Sequence, residues 1–405
     1  MEDINNMIYS WNLKHKESFD FRGIIDESIR DGLQDTRLNF VTFNNKCVLM
    51  DHMARTGINE VIVGMIGIDQ NSDIELMKLI DYAIKVGLFP WVLCRLNEKD
   101  LKRLNTKYYK KVGINIFASF SNIRMFAENW NFNQLLENII CFADKYKKLF
   151  PAIRIAIEDA TRTSPDIIKT LIKTFVELRI DRIVFADTAG IATPYGVNRL
   201  FDVVQSLYPN YSTLYTSFEW HGHNDCGMAL ANSLVSIDRG ARYVHGTILG
   251  VGERTGNAAI ELLLCNLFDY IKCKVNWEQL KKYFEDASAI FNIEIPSNYP
   301  FWGNRSLKSA TGTHCAAMIK LAEKGYENTA SKLFSPQNPF SFDLIDIILL
   351  SKLSGKKTVK YLMSKLNYQY DEKSIDEIIN HIKRYNLVLS INDLENLIKS
   401  NGYCK

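Results

Sequence analysis

Residues 218–264 read FEWHGHNDCGMALANSLVSIDRGARYVHGTILGVGERTGNAAIELLL. The stretch opens with His221-Gly222-His223-Asn224-Asp225 and closes with Gly252-Glu253-Arg254-Thr255-Gly256-Asn257. Side chains two apart in a strand point to the same face, so His221 and His223 would project side by side, as two imidazoles sharing one divalent ion require. A helix-like run from Met228 to Arg239 follows, then a short apolar strand from Tyr243, then a glycine-rich loop. A lone His-x-His is more often a pair of ordinary histidines than a metal site, so the rest of the chain must decide.

Upstream, the apolar β run in IIDESIRDGLQ (residues 24–34) ends in Arg30-Asp31-Gly32, with Gln34 just beyond. Arginine keeps its proton, so a buried Arg30 must be paired or serve a ligand, and Asp31 would supply the hard oxygen that two histidines lack. Strand-like runs then recur at Gly23–Asp26, Glu60–Val63, Phe89–Leu93, Ile114–Phe117, Ile153–Ile157, Arg182–Phe185, Ser217–His221 and Tyr243–Ile248. Amphipathic helical stretches separate them, among them Thr42–Arg55, Asn71–Val86, Phe132–Lys148 and Pro165–Leu178. Eight short strands alternating with helices predict an α/β chain folded as a (β/α)8 TIM barrel. Each candidate site residue of the barrel falls near the C-terminal end of a strand, the face on which such barrels carry their sites.

Five motifs, RDGLQ (30–34), EDATRT (158–163), DTAGIATP (187–194), HGHNDCGMALAN (221–232) and GVGERTGN (250–257), occur in an order that resembles one family. It is the metal-dependent barrel enzymes that include 2-isopropylmalate, homocitrate and citramalate synthases and 3-hydroxy-3-methylglutaryl-CoA lyase. The likeness spans roughly residues 20–270. It implies that Asp31, His221, His223 and Asn257 hold a divalent metal ion. One carboxylate, two imidazoles and an amide leave positions open for a 2-keto acid on Mg2+ or Mn2+, and the donor set also suits Zn2+.

By the same resemblance Arg30 would face the charge that builds on the acceptor's carbonyl oxygen. Thr188 would contact the keto acid carboxylate, Gln34 and Arg95 would line the substrate site, and Glu158 rather than Asp159 would face into it. His314, in KSATGTHCAAMIK, matches a Gly-x-His segment of the synthases whose histidine assists proton removal from the acetyl group. In the family that segment reaches the partner subunit's barrel, which implies a homodimer. The expected reaction is condensation of acetyl-CoA with a 2-keto acid. The alternative is lyase-type cleavage of an acyl-CoA, but the loop Gly250–Arg254 has the synthase form and lacks the lyases' cysteine. One departure stands out: where relatives place a glutamate two residues before the glycine of the second strand, this chain has Ile62, with Glu60 one step (about 6.8 Å) deeper.

The 405 residues, 47% of them hydrophobic, suffice for a barrel of about 250 residues and an appendage. The expected division is an N-terminal arm (1–20), the barrel (21–274) and a helical C-terminal region (275–405), where the strand rhythm stops and Pro296, Pro300, Pro336 and Pro339 punctuate the chain. A net charge of +3 carries no bias towards nucleic acid. No apolar run approaches the roughly 18 residues of a membrane span. With no leader-like N-terminus and eight scattered cysteines, none in a CxxC pair, a cytoplasmic protein with reduced thiols is expected.

Overall fold

The computed structural model describes residue 7 and residues 20–271, 274–335 and 343–401. The expected arm thus lies outside the described residues except for Met7 and Asp20, as do Pro336 and Pro339. Eight parallel strands, β1 (Gly23–Asp26), β2 (Glu60–Met65), β3 (Phe89–Cys94), β4 (Gly113–Ser119), β5 (Ile153–Glu158), β6 (Arg182–Asp187), β7 (Ser217–Gly222) and β8 (Tyr243–Gly246), form a closed barrel in sequence order. β8 pairs back onto β1, with Gly23 opposite Tyr243 and Asp26 opposite Gly246. The (β/α)8 expectation therefore holds. The intervening helices follow from their caps and stripes. Pro165–Glu177 begins with Pro165 after Ser164 and buries Ile168, Leu171, Ile172 and Phe175 against the strands.

β1 spans the expected Gly23–Asp26, whereas β8 ends two residues short of the expected Ile248. β1 stops at Asp26, and Arg30 and Asp31 sit in a turn beyond it, where the Glu27 carbonyl accepts from the Arg30 and Gly32 N–H groups at 3.0 Å each. β8 stops at Gly246, because Thr247 N–H bonds to the Ala258 carbonyl and Leu249 adopts φ 60°, which turns the chain out of the sheet.

The barrel interior departs from the usual layers of branched aliphatic side chains. Arg154 is fully buried, with its guanidinium 3.8 Å from the centre of the Trp91 ring and Nε 2.8 Å from Glu219. Arg182 reaches Glu60 at 2.8 Å and Glu219 at 3.0 Å, and Trp91 Nε1 also donates to Glu60 at 2.7 Å. Burial pushes the Glu219 carboxyl up, but Arg154, Arg182 and His245 outweigh it and hold it at about 2. Glu60 is thus committed to this ion-pair plug, while Ile62 packs with Ile25 and Trp91 just where the β2–β3 register shifts.

The described residues divide into two compact units, one made of those from 20 to 294 and the other of those from 295 to 401 with Met7. The boundary falls some twenty residues later than expected. Helix Trp277–Phe291, assigned above to the C-terminal region, belongs to the barrel's unit, because the Tyr283 hydroxyl donates to Asp26 at 2.8 Å and His52 Nε2 meets Asp286 at 2.7 Å. In the second unit, helices Gly312–Glu323, Lys356–Lys365, Glu372–Tyr385 and Ile391–Asn401 surround a core that includes Cys315, Met318, Val359, Leu362, Ile378 and Leu394. Glu372–Tyr385 shows why: Ile375, Ile378, Ile379 and Ile382 recur at helical spacing, Asp371 caps the N-terminus and Asn386 closes the other end in the left-handed conformation. Among the described residues no helix is long and apolar enough to cross a membrane.

Candidate active site

At the C-terminal end of the barrel, the β1 turn, the end of β7 and the loop after β8 bring Asp31, His221, His223 and Asn257 together. One potential ligand atom from each of Asp31, His221 and His223 lies within 4.8 Å of the others. His223 stands one residue past β7 and forms an isolated antiparallel bridge with Asn257; the two imidazole centroids are 5.1 Å apart. Asn257 donates to the Val251 carbonyl at 3.1 Å, which leaves its Oδ1 free.

The site is dry. Asp31 is 1% exposed, Asn257 4% and His223 6%. Asp31 Oδ1, His223 Nδ1 and Asn257 Oδ1 are buried without a hydrogen-bond partner, an arrangement that is costly unless something else satisfies these atoms. A divalent cation would satisfy all three, and the carboxylate, imidazole and amide donors fit one. Burial raises the Asp31 carboxyl, yet Arg30 and the two histidines outweigh this and hold it at about 2. Burial pushes His221 and His223 down to about 4, so both are neutral donors at pH 7.

A pH prediction follows from these values. The folded pKa of each histidine lies below its unfolded value near 6.5, so the unfolded chain binds more protons between about pH 4 and 6.5, and stability rises with pH across that window. Asp31, depressed in the fold, adds stability that is lost only as pH falls further, from about 4 towards 2. Urea unfolding of metal-free protein at stepped pH should therefore show a free energy that is flat above pH 6.5 and declines below it; a flat profile down to pH 4 would contradict neutral buried imidazoles.

Arg30 makes an ion pair with Glu27 and lies 3.3 Å from Asp31. Glu158, at the end of β5, is 3.4 Å from Arg124, and its carboxyl is pushed up by burial against the opposing pull of Arg124. Thr188 accepts from the Asp159 N–H at 2.8 Å and keeps its own hydroxyl hydrogen to donate. Asp159 takes φ 58° and binds Arg162, so it turns away into its own loop. Arg95 is half exposed, pairs with Asp100 and donates to the Gly67 carbonyl. It lines a cavity of about 590 Å³ with Phe117, Ala118, Arg124 and Trp130. Gln34 is exposed and lines a separate cavity of about 280 Å³ beside Arg30. His314 belongs to the other unit, where it is exposed on the first turn of Gly312–Glu323 and stacks on Phe334.

Sequence reading overlooked three groups. Glu27 and His245 pack directly behind His221, and Arg254 clamps the loops: it grips Asp225 through two hydrogen bonds and donates to the Thr188 carbonyl at 2.7 Å. Arg254 and Asp225 both stand inside quoted motifs, so a signal for them existed. The same loop demands its glycines. Gly256 has φ 84° and a β-carbon there would overlap the Gly250 carbonyl.

The HMGL-like family model matches residues 23–284. A putative 2-isopropylmalate synthase of Buchnera aphidicola subsp. Baizongia pistaciae is 28% identical over 361 residues, covering 87% of this chain and 89% of that one. A probable 2-isopropylmalate synthase of Ignicoccus hospitalis is 27% identical over 375 residues, covering 89% and 86%. Among solved structures, the hydroxymethylglutaryl-CoA lyase of Pseudomonas aeruginosa superposes with a TM-score of 0.58 at 19% identity, covering 69% of this chain and 96% of that one, a likeness of fold. With the family model spanning well over half of its length and the barrel closed as described, this chain belongs to the HMGL-like family.

Proposed function

We propose that the protein condenses acetyl-CoA with a 2-keto acid and, with water, releases CoA and a 2-hydroxy acid of the alkylmalate type, as a 2-isopropylmalate synthase does. The observation that carries this reading is the meeting of Asp31, His221, His223 and Asn257 around buried, unpartnered oxygen and nitrogen atoms, with Arg30 at their edge. The relatives named as synthases support it, since they align with 87–89% of this chain. The lyase structures cover only 67–69%.

A divalent ion held by these four residues would polarise the keto acid and stabilise charge on its carbonyl oxygen. The chain's own groups do the rest. Arg30, fixed by Glu27 and Asp31, presents a guanidinium that keeps its charge to the same oxygen. Thr188 offers its free hydroxyl hydrogen to the substrate carboxylate. Glu158, its carboxyl raised by burial, and His314 are the proton carriers proposed for the acetyl methyl group. The cavity of about 590 Å³ lined by Arg124, whose guanidinium lies 3.4 Å from Glu158, would receive the thioester end of acetyl-CoA. Its two cations, Arg95 and Arg124, suit an anionic ligand.

The test is thiol release from acetyl-CoA with a panel of 2-keto acids and added Mg2+, Mn2+ or Zn2+. Thiol should appear only with a keto acid present. Cleavage of a 3-hydroxyacyl-CoA without condensation would assign the lyase reaction instead.

His314 carries the dimer proposal. If it serves the partner's barrel, mixing inactive Arg30→Ala chains with inactive His314→Ala chains should restore activity, because each exchanged dimer holds one intact site of two. Activity per chain should also fall on dilution below the dimer dissociation constant. Demonstrated subunit exchange with no recovery would return His314 to a packing role against Phe334.

A further inference from the structure

We propose that Glu27 is the positioning residue of the metal site: it dictates which nitrogen of His221 faces the ion and holds Arg30 beside it. This rests on the metal reading above.

Glu27 is 1% exposed, and its backbone is pinned on both sides. Its N–H donates to the Gly246 carbonyl at 2.9 Å, and its carbonyl closes the turn that carries Arg30 and Asp31. Its carboxylate is therefore aimed rather than free. One oxygen lies 3.1 Å from His221 Nδ1 and 2.5 Å from His245 Nδ1, and the other binds the Arg30 guanidinium. An ionised carboxylate only accepts, so the His221 hydrogen must sit on Nδ1. That leaves the Nε2 lone pair directed at the space it shares with Asp31, whose Oδ2 is 3.4 Å away. Behind Glu27 the arrangement is locked by His245 Nε2 meeting Glu219 at 3.0 Å, and Glu219 is in turn held by Arg154 and Arg182. The ion-pair plug of the barrel thus reaches the metal ligands through a single carboxylate.

Glu27, His221 and His245 also come within metal-binding distance of one another. A second ion among them is disfavoured by charge, because Arg30 already sits on Glu27 and Glu219 occupies the far nitrogen of His245. A cation there would face the guanidinium directly. Orientation of His221 accounts for the same geometry without that repulsion, and a carboxylate behind a metal-bound imidazole is a recurrent way to fix its tautomer.

Mn2+ and Zn2+ are titrated calorimetrically into metal-free wild type, Glu27→Gln and Glu27→Ala, with far-ultraviolet circular dichroism to confirm folding. Wild type should bind one ion per chain, and the folded variants should lose about 10–100-fold in affinity, the alanine variant more than the glutamine. A folded Glu27 variant that binds within threefold of wild type overturns the proposal, as does a stoichiometry of two ions in wild type. No binding by wild type overturns the metal reading itself, a distinguishable failure. Should neither variant fold, wild type alone decides. With selective 15N-histidine labelling, and His221 assigned by its loss in His221→Gln, the metal-free ring should be protonated at Nδ1. A spectrum showing the Nε2–H form overturns the proposal; a Glu27 that only braced the turn without bonding His221 would not impose either tautomer.

Discussion

Glu219→Ala should cost about 3–5 kcal/mol of stability, because it removes one partner from a buried ion-pair network and leaves the others uncompensated. Arg154 would be worst placed: it is fully buried, and its next carboxylate, Glu60, is 3.7 Å from its guanidinium and already bonded to Arg182. His245 would lose the partner of its Nε2 at the same time. The melting temperature of the barrel's unit should fall by roughly 10 °C. Glu219→Gln, which keeps the shape and one acceptor but not the charge, should fall between wild type and alanine. The check is thermal and urea unfolding of both variants. A loss under about 1 kcal/mol for the alanine variant would mean that water enters the barrel and solvates the arginines. A further comparison separates the network's net worth from the penalty of breaking it. Replacing the charged residues together by apolar ones of similar volume should be far less harmful than removing Glu219 alone.

The second large effect concerns turnover. Arg30→Lys should lower kcat with acetyl-CoA and the true keto acid by about 10²–10³, the loss that follows removal of one preorganised donor at a developing oxyanion. Geometry explains why a conserved charge is not enough. Arg30 spans two carboxylates, Glu27 and Asp31, which a planar guanidinium can do while still presenting N–H groups elsewhere. A lysine ammonium has one nitrogen and no such fork. It would settle on the two carboxylates and leave the substrate oxygen without its donor. KM for acetyl-CoA should change far less than kcat. Near-wild-type turnover in Arg30→Lys would remove Arg30 from the chemistry and leave it as a counter-ion of Glu27.

Much of the barrel could be read from the chain because its outward strand positions carry the signal. Ile153, Ile155 and Ile157 of β5 all face the helices and are buried, and the same alternation repeats around the sheet. The four proposed metal residues were readable because each lies inside a local motif. The barrel interior was not. Arg182 and Glu60 are 122 positions apart, and Arg182 and Glu219 are 37 apart, so nothing in either neighbourhood announces a partner. An arginine in a β run reads as a sign of an exposed edge, whereas Arg154 is the most buried cation of the barrel's unit among the described residues. The domain boundary was hidden for the same reason. The contact that ties Trp277–Phe291 to the barrel joins Tyr283 to Asp26 across 257 residues. Glu27 was overlooked because its meaning depends on His221 and His245, which arrive some 200 residues later.

The closure of β8 onto β1 has a bearing on how the chain comes to be folded as it is made. Arg30 and Asp31 are synthesised before β2, whereas Asn257 is added only after β8. A nascent chain that has reached β6 has Arg154 and Arg182 but not Glu219, and Glu27 but neither of its histidines. Six strands would therefore leave Arg154 and Arg182 to share the one carboxylate of Glu60, an under-compensated state with little reason to persist. Folding should wait for the last strand and then proceed as one step, its rate limited by bringing together β1 and β8, which are some 200 residues apart in sequence. Ion binding would serve as the signal that translation of the barrel has finished, since no shorter fragment can assemble the site.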